Sequence, residues 1–305
     1  LAAIIRTLSD VLTREAARAL AGESEGVHHA RVAARRLREA LALVAAGPVT
    51  DVTLLRADTR RLRTGLGPVR EADVLVALFD ELAQARRWPA VAVARVRRRL
   101  LERREEASEA TPPVFARTDL AGLLGRSARI TVSLEREPRL RASTRRLTRR
   151  ARIRARGLLE AIRHAGPFYA PARFHDVRIA AKKLRYVLEL YRDLGRLPVD
   201  KEIGALRGAQ DSLGRLHDLQ DLQRAVEALA AERPADRPTR RAFETIARTV
   251  EAECRLLHGA FLLTEPALAQ VGQRAIVLAG ALSARAGRMT VKPSAVPRAA
   301  ARRRL

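Results

Sequence analysis

Two stretches of this 305-residue chain repeat each other at a fixed distance. Val27 to Val44 reads VHHARVAARRLREALALV, and Phe174 to Tyr191 reads FHDVRIAAKKLRYVLELY. His28 pairs with His175, Arg31 with Arg178, Leu37 with Leu184 and Arg38 with Arg185, each 147 residues on. Arg35-Arg36 returns as Lys182-Lys183, which keeps both charges. The same offset relates Leu66-Gly67 to Leu213-Gly214 and Glu71 to Asp218, and it holds to about Leu82. No insertion or deletion interrupts it, so the chain is expected to fold as a duplicated helical unit.

On a helix the repeat separates into two faces. Ala30, Ala34, Leu37, Leu41 and Val44 recur at spacings of 4, 3, 4 and 3, as a core-facing stripe does. Val177, Ala181, Leu184, Leu188 and Tyr191 do the same in the second copy. The other face carries His28, Arg31, Arg35 and Arg38 in the first copy, and His175, Arg178, Lys182 and Arg185 in the second. No acid lies in the middle of either cationic face. Like charges at i, i+4 cost a few tenths of a kcal/mol per pair. A cost carried twice points to an anionic ligand that offsets it; the bland alternative is a solvated basic face.

Charge agrees with the first reading. Lys and Arg number 59 against 34 Asp and Glu, a formal net charge of +25. Only Lys182, Lys183, Lys201 and Lys292 are lysines. The planar guanidinium suits phosphate oxygens and stays charged at any ordinary pH. A GC-rich genome could explain arginine in place of lysine, but not the excess of positive charge. Aromatics are only 3% of residues, so the core must be built from Leu, Val, Ile and Ala. These and the abundant Arg and Glu read as helix, and no alternating strand pattern of useful length is present.

The pattern H-x-x-R-(I/V)-x-x-(R/K)-(R/K)-L-R, present twice, resembles the CHAD proteins, the conserved histidine α-helical domain. LGPVREADVL at 66–75 and LGRLHDLQDL at 213–222 are similar to the family's second, looser motif. The resemblance spans roughly residues 1–285. It implies an all-α fold of two pseudo-symmetric antiparallel four-helix bundles, with a basic groove or pore between them that binds inorganic polyphosphate. It further implies a cytoplasmic setting at polyphosphate granules. Carried onto this sequence, the ligand-binding residues are Arg31, Arg35, Arg36, Arg38, Arg178, Lys182, Lys183 and Arg185, with His28 and His175 either donating to phosphate or pinning a neighbouring side chain. Some members carry an additional triphosphate-handling domain, and a chain that opens on Leu1 leaves room for one upstream.

In chain order, 1–137 forms the first half, with a connector over 111–137 that includes a short helix from Leu120 to about Leu134. The second half is 138–287, and 288–305 is a basic disordered tail. Gly67-Pro68 is expected to end one helix and begin another, and helices over 198–213 and 215–232 are expected to repeat that break. A closing helix runs to about Leu263, and Glu265 to Arg285 reads as an extra helix packed outside. The segment 139–163 holds ten Arg and one acid. There Arg145, Arg149, Arg152 and Arg156 share a face, with Arg163 further along it, and extend over about 27 Å as a track for a linear polyanion.

Two other functions fit the same charge. Nonspecific nucleic-acid binding is one. Few aromatics are available for stacking single strands, and weak, nonspecific binding is still expected of a chain this basic, which the tail from Thr290 to Leu305 could provide alone. A metal- or phosphate-handling histidine protein is the other. No cluster with ligand spacing accompanies His28 or His175, and Cys254-x3-His258 is a lone pair of the kind packing usually produces. No Walker loop, nucleophile elbow or HExxH is present. The chain is therefore expected to be non-enzymatic, without cofactor or metal. The single cysteine excludes a disulfide within a monomer. The apolar run at Ala275 to Ala281 is too short to span a membrane and is flanked by Arg274 and Arg285.

Overall fold

The computed structural model describes residues 1–45, 47–136, 140–195, 198–232 and 236–288. All regular structure among them is helical: α1 (Ala2–Leu20), α2 (Ser24–Leu41), α3 (Val49–Gly65), α4 (Gly67–Ala85), α5 (Ala90–Glu109), α6 (Pro112–Ala116), α7 (Leu120–Arg136), α8 (Leu140–Ala165), α9 (Pro171–Asp193), α10 (Asp200–Ala231) and α11 (Arg237–Arg288). None of these helices is long and apolar enough to cross a membrane. The half boundary expected near 137 and the tail expected over 288–305 fall on residues 137–139 and 289–305, which lie outside the described residues.

The apolar stripes do what their spacing predicts. Leu37 and Leu41 on α2, and Val177, Ala181 and Leu184 on α9, are fully buried, and the remaining members of both stripes are buried too. Burying a Leu side chain is worth about 1.5–3 kcal/mol, so the stripes fix which way each motif helix faces. α1 packs on α2 and α7, and α2 packs on α3. α8 packs on α9 and α11, and α10 packs on α9 and α11. Three further contacts join residues far apart in sequence: α2 with α9, α4 with α10 and α5 with α11.

α1 ends on Gly22, whose φ of 86° only glycine adopts without strain. Its N–H donates to the Ala19 carbonyl and the Glu23 N–H to the Arg18 carbonyl, closing both orphan carbonyls in a Schellman arrangement. The chain then returns so closely that a Cβ at Gly26 would lie 2.7 Å from the Ala19 nitrogen and 2.8 Å from the Arg18 carbonyl carbon.

Two expectations are corrected. The second half has no break at Gly214: α10 runs unbroken from Asp200 to Ala231. In the first half Pro68, which lacks an N–H, forces the chain to restart as α4. Arg215 stands at that position in the second half, and nothing interrupts the ladder. α11 likewise continues through Pro266. Its distal part is not an external addition: Leu268, Val271, Ala275, Ala279 and Leu282 are buried, a stripe at helical spacing that packs on α8. The helix expected from Leu120 to about Leu134 is α7, and it is packed. Its Leu123 and Ile130 are fully buried against α1 and α3, and its buried Arg126 donates to Asp58 at 2.6 Å and Asp119 at 2.7 Å.

The α1–α2 approach gives a paired expectation. Gly26→Ala should lower the unfolding free energy by about 1–3 kcal/mol through overpacking against backbone. Gly204→Ala, on α10 with nothing within 4 Å of the added methyl, should raise it by roughly 0.5–1 kcal/mol. Urea denaturation followed by circular dichroism checks both signs.

Candidate anion-binding cleft

α2, α4, α9 and α10 enclose a cleft of about 820 Å³. His28, Arg35 and Arg36 enter it from α2, Arg70 and Glu81 from α4, and Arg178, Lys182 and Arg185 from α9. Arg207, Arg215, Asp211 and Asp218 enter from α10. The two copies of the motif thus meet here, because each helix buries its apolar stripe and turns its cationic face toward the other.

Carboxylates organise the rim. Buried Glu189 lies 3.6 Å from Arg36, 3.7 Å from Arg185 and 3.5 Å from Arg207, so one acid gathers arginines from three helices. Arg36 also donates to Asp193 at 2.9 Å, and Arg215 holds Glu81 through two bonds of 2.9 and 2.6 Å. The centre is different. Among the described residues Arg35, Arg70, Arg178 and Lys182 form no ion pair. Arg31 beside them spends its Nη1 on the Arg63 carbonyl at 2.8 Å rather than on an acid.

The strain is electrostatic. Burial, and then the charges of Arg35, Arg178, Arg31 and Arg185, push the Lys182 ammonium down to about 6. Burial and the neighbouring Arg35 bring Arg31 down to about 10, still charged at neutral pH. Asp218 is pushed up by burial, although Arg178, Arg70 and Lys182 pull its carboxyl the other way. His28 and His175 are both held below the ordinary imidazole value by burial, and next by Arg70 and Arg178 respectively.

The second motif is explained by what it does for the first. A Cβ at Gly67 would lie 2.9 Å from Arg31 Nη1, and one at Gly214 would lie 3.6 Å from Arg178 Nε. Each glycine is the floor beneath the motif arginine of its own half. Glu71 and Asp218 act on those same two arginines. The residue before each acid faces the motif histidine: Arg70 acts on His28, while the His217 ring stands 4.5 Å from that of His175. Arg70 lines the cleft and His217 does not, so the departure at this position has a consequence.

Of the residues singled out in the sequence, the cleft gathers His28, Arg35, Arg36, Arg178, Lys182 and Arg185. Arg31 adjoins it. Arg38 lies 3.9 Å from Glu39, and its charge falls on Arg63 and Arg154. His175 sits in the pair with His217. Lys183 lines a separate groove between α8 and α9, with Arg154, Arg163 and His164. Arg145, Arg149, Arg152 and Arg156 are exposed on α8, outside the cleft and without an ion pair among the described residues. Other arginines of that helix reach α2 and the turn after it: Arg150 bonds Glu39, and Arg146 donates to the Val44 carbonyl at 2.6 Å. Arg70, Arg207, Arg215, Glu189 and the cleft role of Asp218 escaped the sequence reading. Arg70 could have been found from its place in the second motif; the α10 arginines carry no comparable signal.

Cys254 and His258 belong to packing. Cys254 is fully buried, and the His258 ring lies 4.8 Å from Phe174 and 5.3 Å from Tyr169. Among the described residues no group of three His, Cys, Asp or Glu could hold a metal ion.

The sequence model of the CHAD domain matches residues 2–227, and the chain belongs to the CHAD domain family. The fold is similar to that of the CHAD domain from the plant Ricinus communis, at 22% identity and a TM-score of 0.61, over 89% of this chain and 90% of that one. It is also similar to PptA from Streptomyces chartreusis, at 16% identity and a TM-score of 0.56, over 92% and 97%. No curated protein matches the chain in sequence.

Lys182 ties stability to pH. Its folded value lies far below the unfolded one, so between about pH 6 and 10 the unfolded chain binds more protons and stability rises with pH. Lys182→Met removes that linkage. Its thermal midpoint should exceed that of the parent protein by a margin that grows as pH falls from about 10 toward 6 and then levels off, as thermal melts across that range would record.

Proposed function

We propose that the protein binds inorganic polyphosphate, without catalysis, in the cleft between its two motif helices. The observation that carries this reading is the centre of the cleft, where Arg35, Arg70, Arg178 and Lys182 converge without an acid paired to any of them among the described residues. An unpaired desolvated cation is costly, and a linear polyanion supplies the missing charge at every unit of its length. The cleft offers a nucleobase little to stack on: beside the His28 imidazole its one other ring, Tyr186, is buried and lies 5.0 Å beneath the Arg185 guanidinium. Phosphate oxygens need only charge and donors, and these residues supply both.

The architecture of this proposal is a pair of four-helix bundles, 1–137 and 138–287, related by a pseudo-two-fold axis. The cross-sequence contacts of α2 with α9 and α4 with α10 support it, as do the ion pairs Arg36–Asp193 and Arg215–Glu81 that bridge the two halves. His28, Arg31, Arg35, Arg36, Arg38, Arg178, Lys182 and Arg185 contact the chain in and beside the cleft, with His175 holding its end of the second motif. Arg145, Arg149, Arg152, Arg156 and Lys183 continue the cationic surface outside it. The setting is the cytoplasm, at polyphosphate granules, where such a domain would bring its chain to the polymer.

Arg35→Glu combined with Lys182→Glu should abolish binding of long-chain polyphosphate while the far-ultraviolet circular dichroism stays helical; retained binding would remove the cleft from the mechanism. The parent protein should hold polyphosphate at physiological salt against excess double-stranded DNA and single-stranded RNA, and equal displacement by either would favour the nucleic-acid reading. Replacing Arg149, Arg152 and Arg156 with Gln should leave short oligophosphates unaffected. For long chains it should flatten the slope of log affinity against log salt by roughly two to three.

A further inference from the structure

We infer that the cleft takes up its anion together with one proton, and that the proton's site is the Lys182 amine. The inference rests on the polyphosphate reading and adds a second, smaller ligand to it.

Lys182 occupies the position in the second repeat that Arg35 occupies in the first, and the two face each other across the α2–α9 contact. Only four of the chain's 59 basic residues are lysines, so a lysine at this junction is a departure from the chain's own habit. Arg31 and Arg35 face the amine from α2, and Arg178 and Arg185 flank it on α9. His28 and Arg36 from α2, Arg70 and Glu81 from α4, and Arg207, Asp211, Arg215 and Asp218 from α10 complete the charged lining with Glu189 of α9. The acids do not neutralise the amine. Glu81 is engaged by Arg215, Glu189 by three arginines, and no carboxylate forms an ion pair with Lys182 among the described residues.

A guanidinium in such company stays charged; an ammonium sheds its proton. The empty cleft therefore relieves its repulsion at Lys182, whose ammonium is pushed down to about 6. An incoming phosphate chain reverses the balance. The amine takes a proton from solvent, becomes an ammonium against the phosphate oxygens, and returns the proton when the chain leaves. Binding should then weaken as pH rises above about 6, by up to about tenfold per unit, until the value of the bound state is reached. A chain with arginine at both facing positions would hold the polymer without this dependence.

Two measurements test it. With no ligand present, competitive acylation read by mass spectrometry compares Lys182 with Lys183 and Lys201. The Lys182 profile should have a midpoint roughly three to four pH units below theirs, and a midpoint in their range overturns the inference outright. Titration calorimetry with long-chain polyphosphate at about pH 7.5, in HEPES and in Tris, then counts protons from the buffer dependence of the heat. The parent protein should take up close to one more proton than Lys182→Arg, which retains the charge but cannot release it. Lys182→Arg should also bind more tightly above neutral pH. His28 and Asp218 are intact in both proteins, so uptake that persists unchanged in Lys182→Arg assigns the proton to them and overturns the inference. No binding at any pH overturns the polyphosphate reading and the coupling with it. Tight binding without a Lys182-dependent proton overturns the coupling alone.

Discussion

The repulsion between two cationic helix faces is the constraint around which this molecule is built. Each motif helix must bury an apolar stripe, and the geometry of an α-helix then dictates where its basic face points. When α2 and α9 come together, equivalent cations meet: Arg35 lies among the charges that bear on Lys182, with Arg31, Arg178 and Arg185 beside it. Two like charges 5 Å apart cost roughly 3 kcal/mol at an effective dielectric of 20. Several such pairs in one cleft would be prohibitive without compensation, and burial of the stripes provides it. The fold tolerates the cleft because Leu37, Leu41, Leu184 and their neighbours hold the helices in place from the other side.

The acids show where compensation was applied and where it was withheld. Glu39 and Glu189 are both buried and both collect several arginines, the first from α2 itself and α8, the second from α2, α9 and α10. Each fixes long, entropically expensive side chains into one geometry. They sit at the back and rim of the basic surfaces. Glu71 and Asp218 come nearer the centre, yet they act on Arg31 and Arg178 without forming an ion pair among the described residues. The molecule thus orients these two guanidiniums by a glycine floor and a nearby field, and Arg31 spends its Nη1 on the Arg63 carbonyl rather than on an acid.

What could be read from the sequence follows from range. The core stripes were legible because helical periodicity is local: five positions in each copy sufficed, and all ten are buried. The cationic face was legible for the same reason, and the repeat doubled its weight. The arrival of Arg207 and Arg215 in the cleft was not legible, because it depends on α10 meeting α4 across more than a hundred residues of chain. The α8 row had the right composition and spacing for a track, yet periodicity gives a face and not a neighbour: those arginines point to solvent, while Arg150 and Arg146 of the same helix reach α2 and the turn after it. The expected break at Gly214 failed for a different reason. Symmetry was extended to a position where Arg215 replaces the proline that causes the break at Gly67-Pro68.

Those departures from symmetry matter more than the symmetry itself. A perfect duplication would place arginine opposite arginine at the α2–α9 junction, an arginine beside each motif histidine, and a kinked helix pair on both flanks. This chain has Lys182 opposite Arg35, His217 where the first half has Arg70, and the unbroken α10 where the first half has α3 and α4. The first change puts an ionisable amine where charge density is highest. The second withdraws one cation from the second half's edge of the cleft, since His217 turns to His175 while Arg70 lines the wall. The third lets one rigid helix carry Arg207, Arg215 and Asp218 along a single wall. Charge in the cleft is therefore graded rather than mirrored, with its guanidiniums fixed and its one lysine at the point where the two repeats meet.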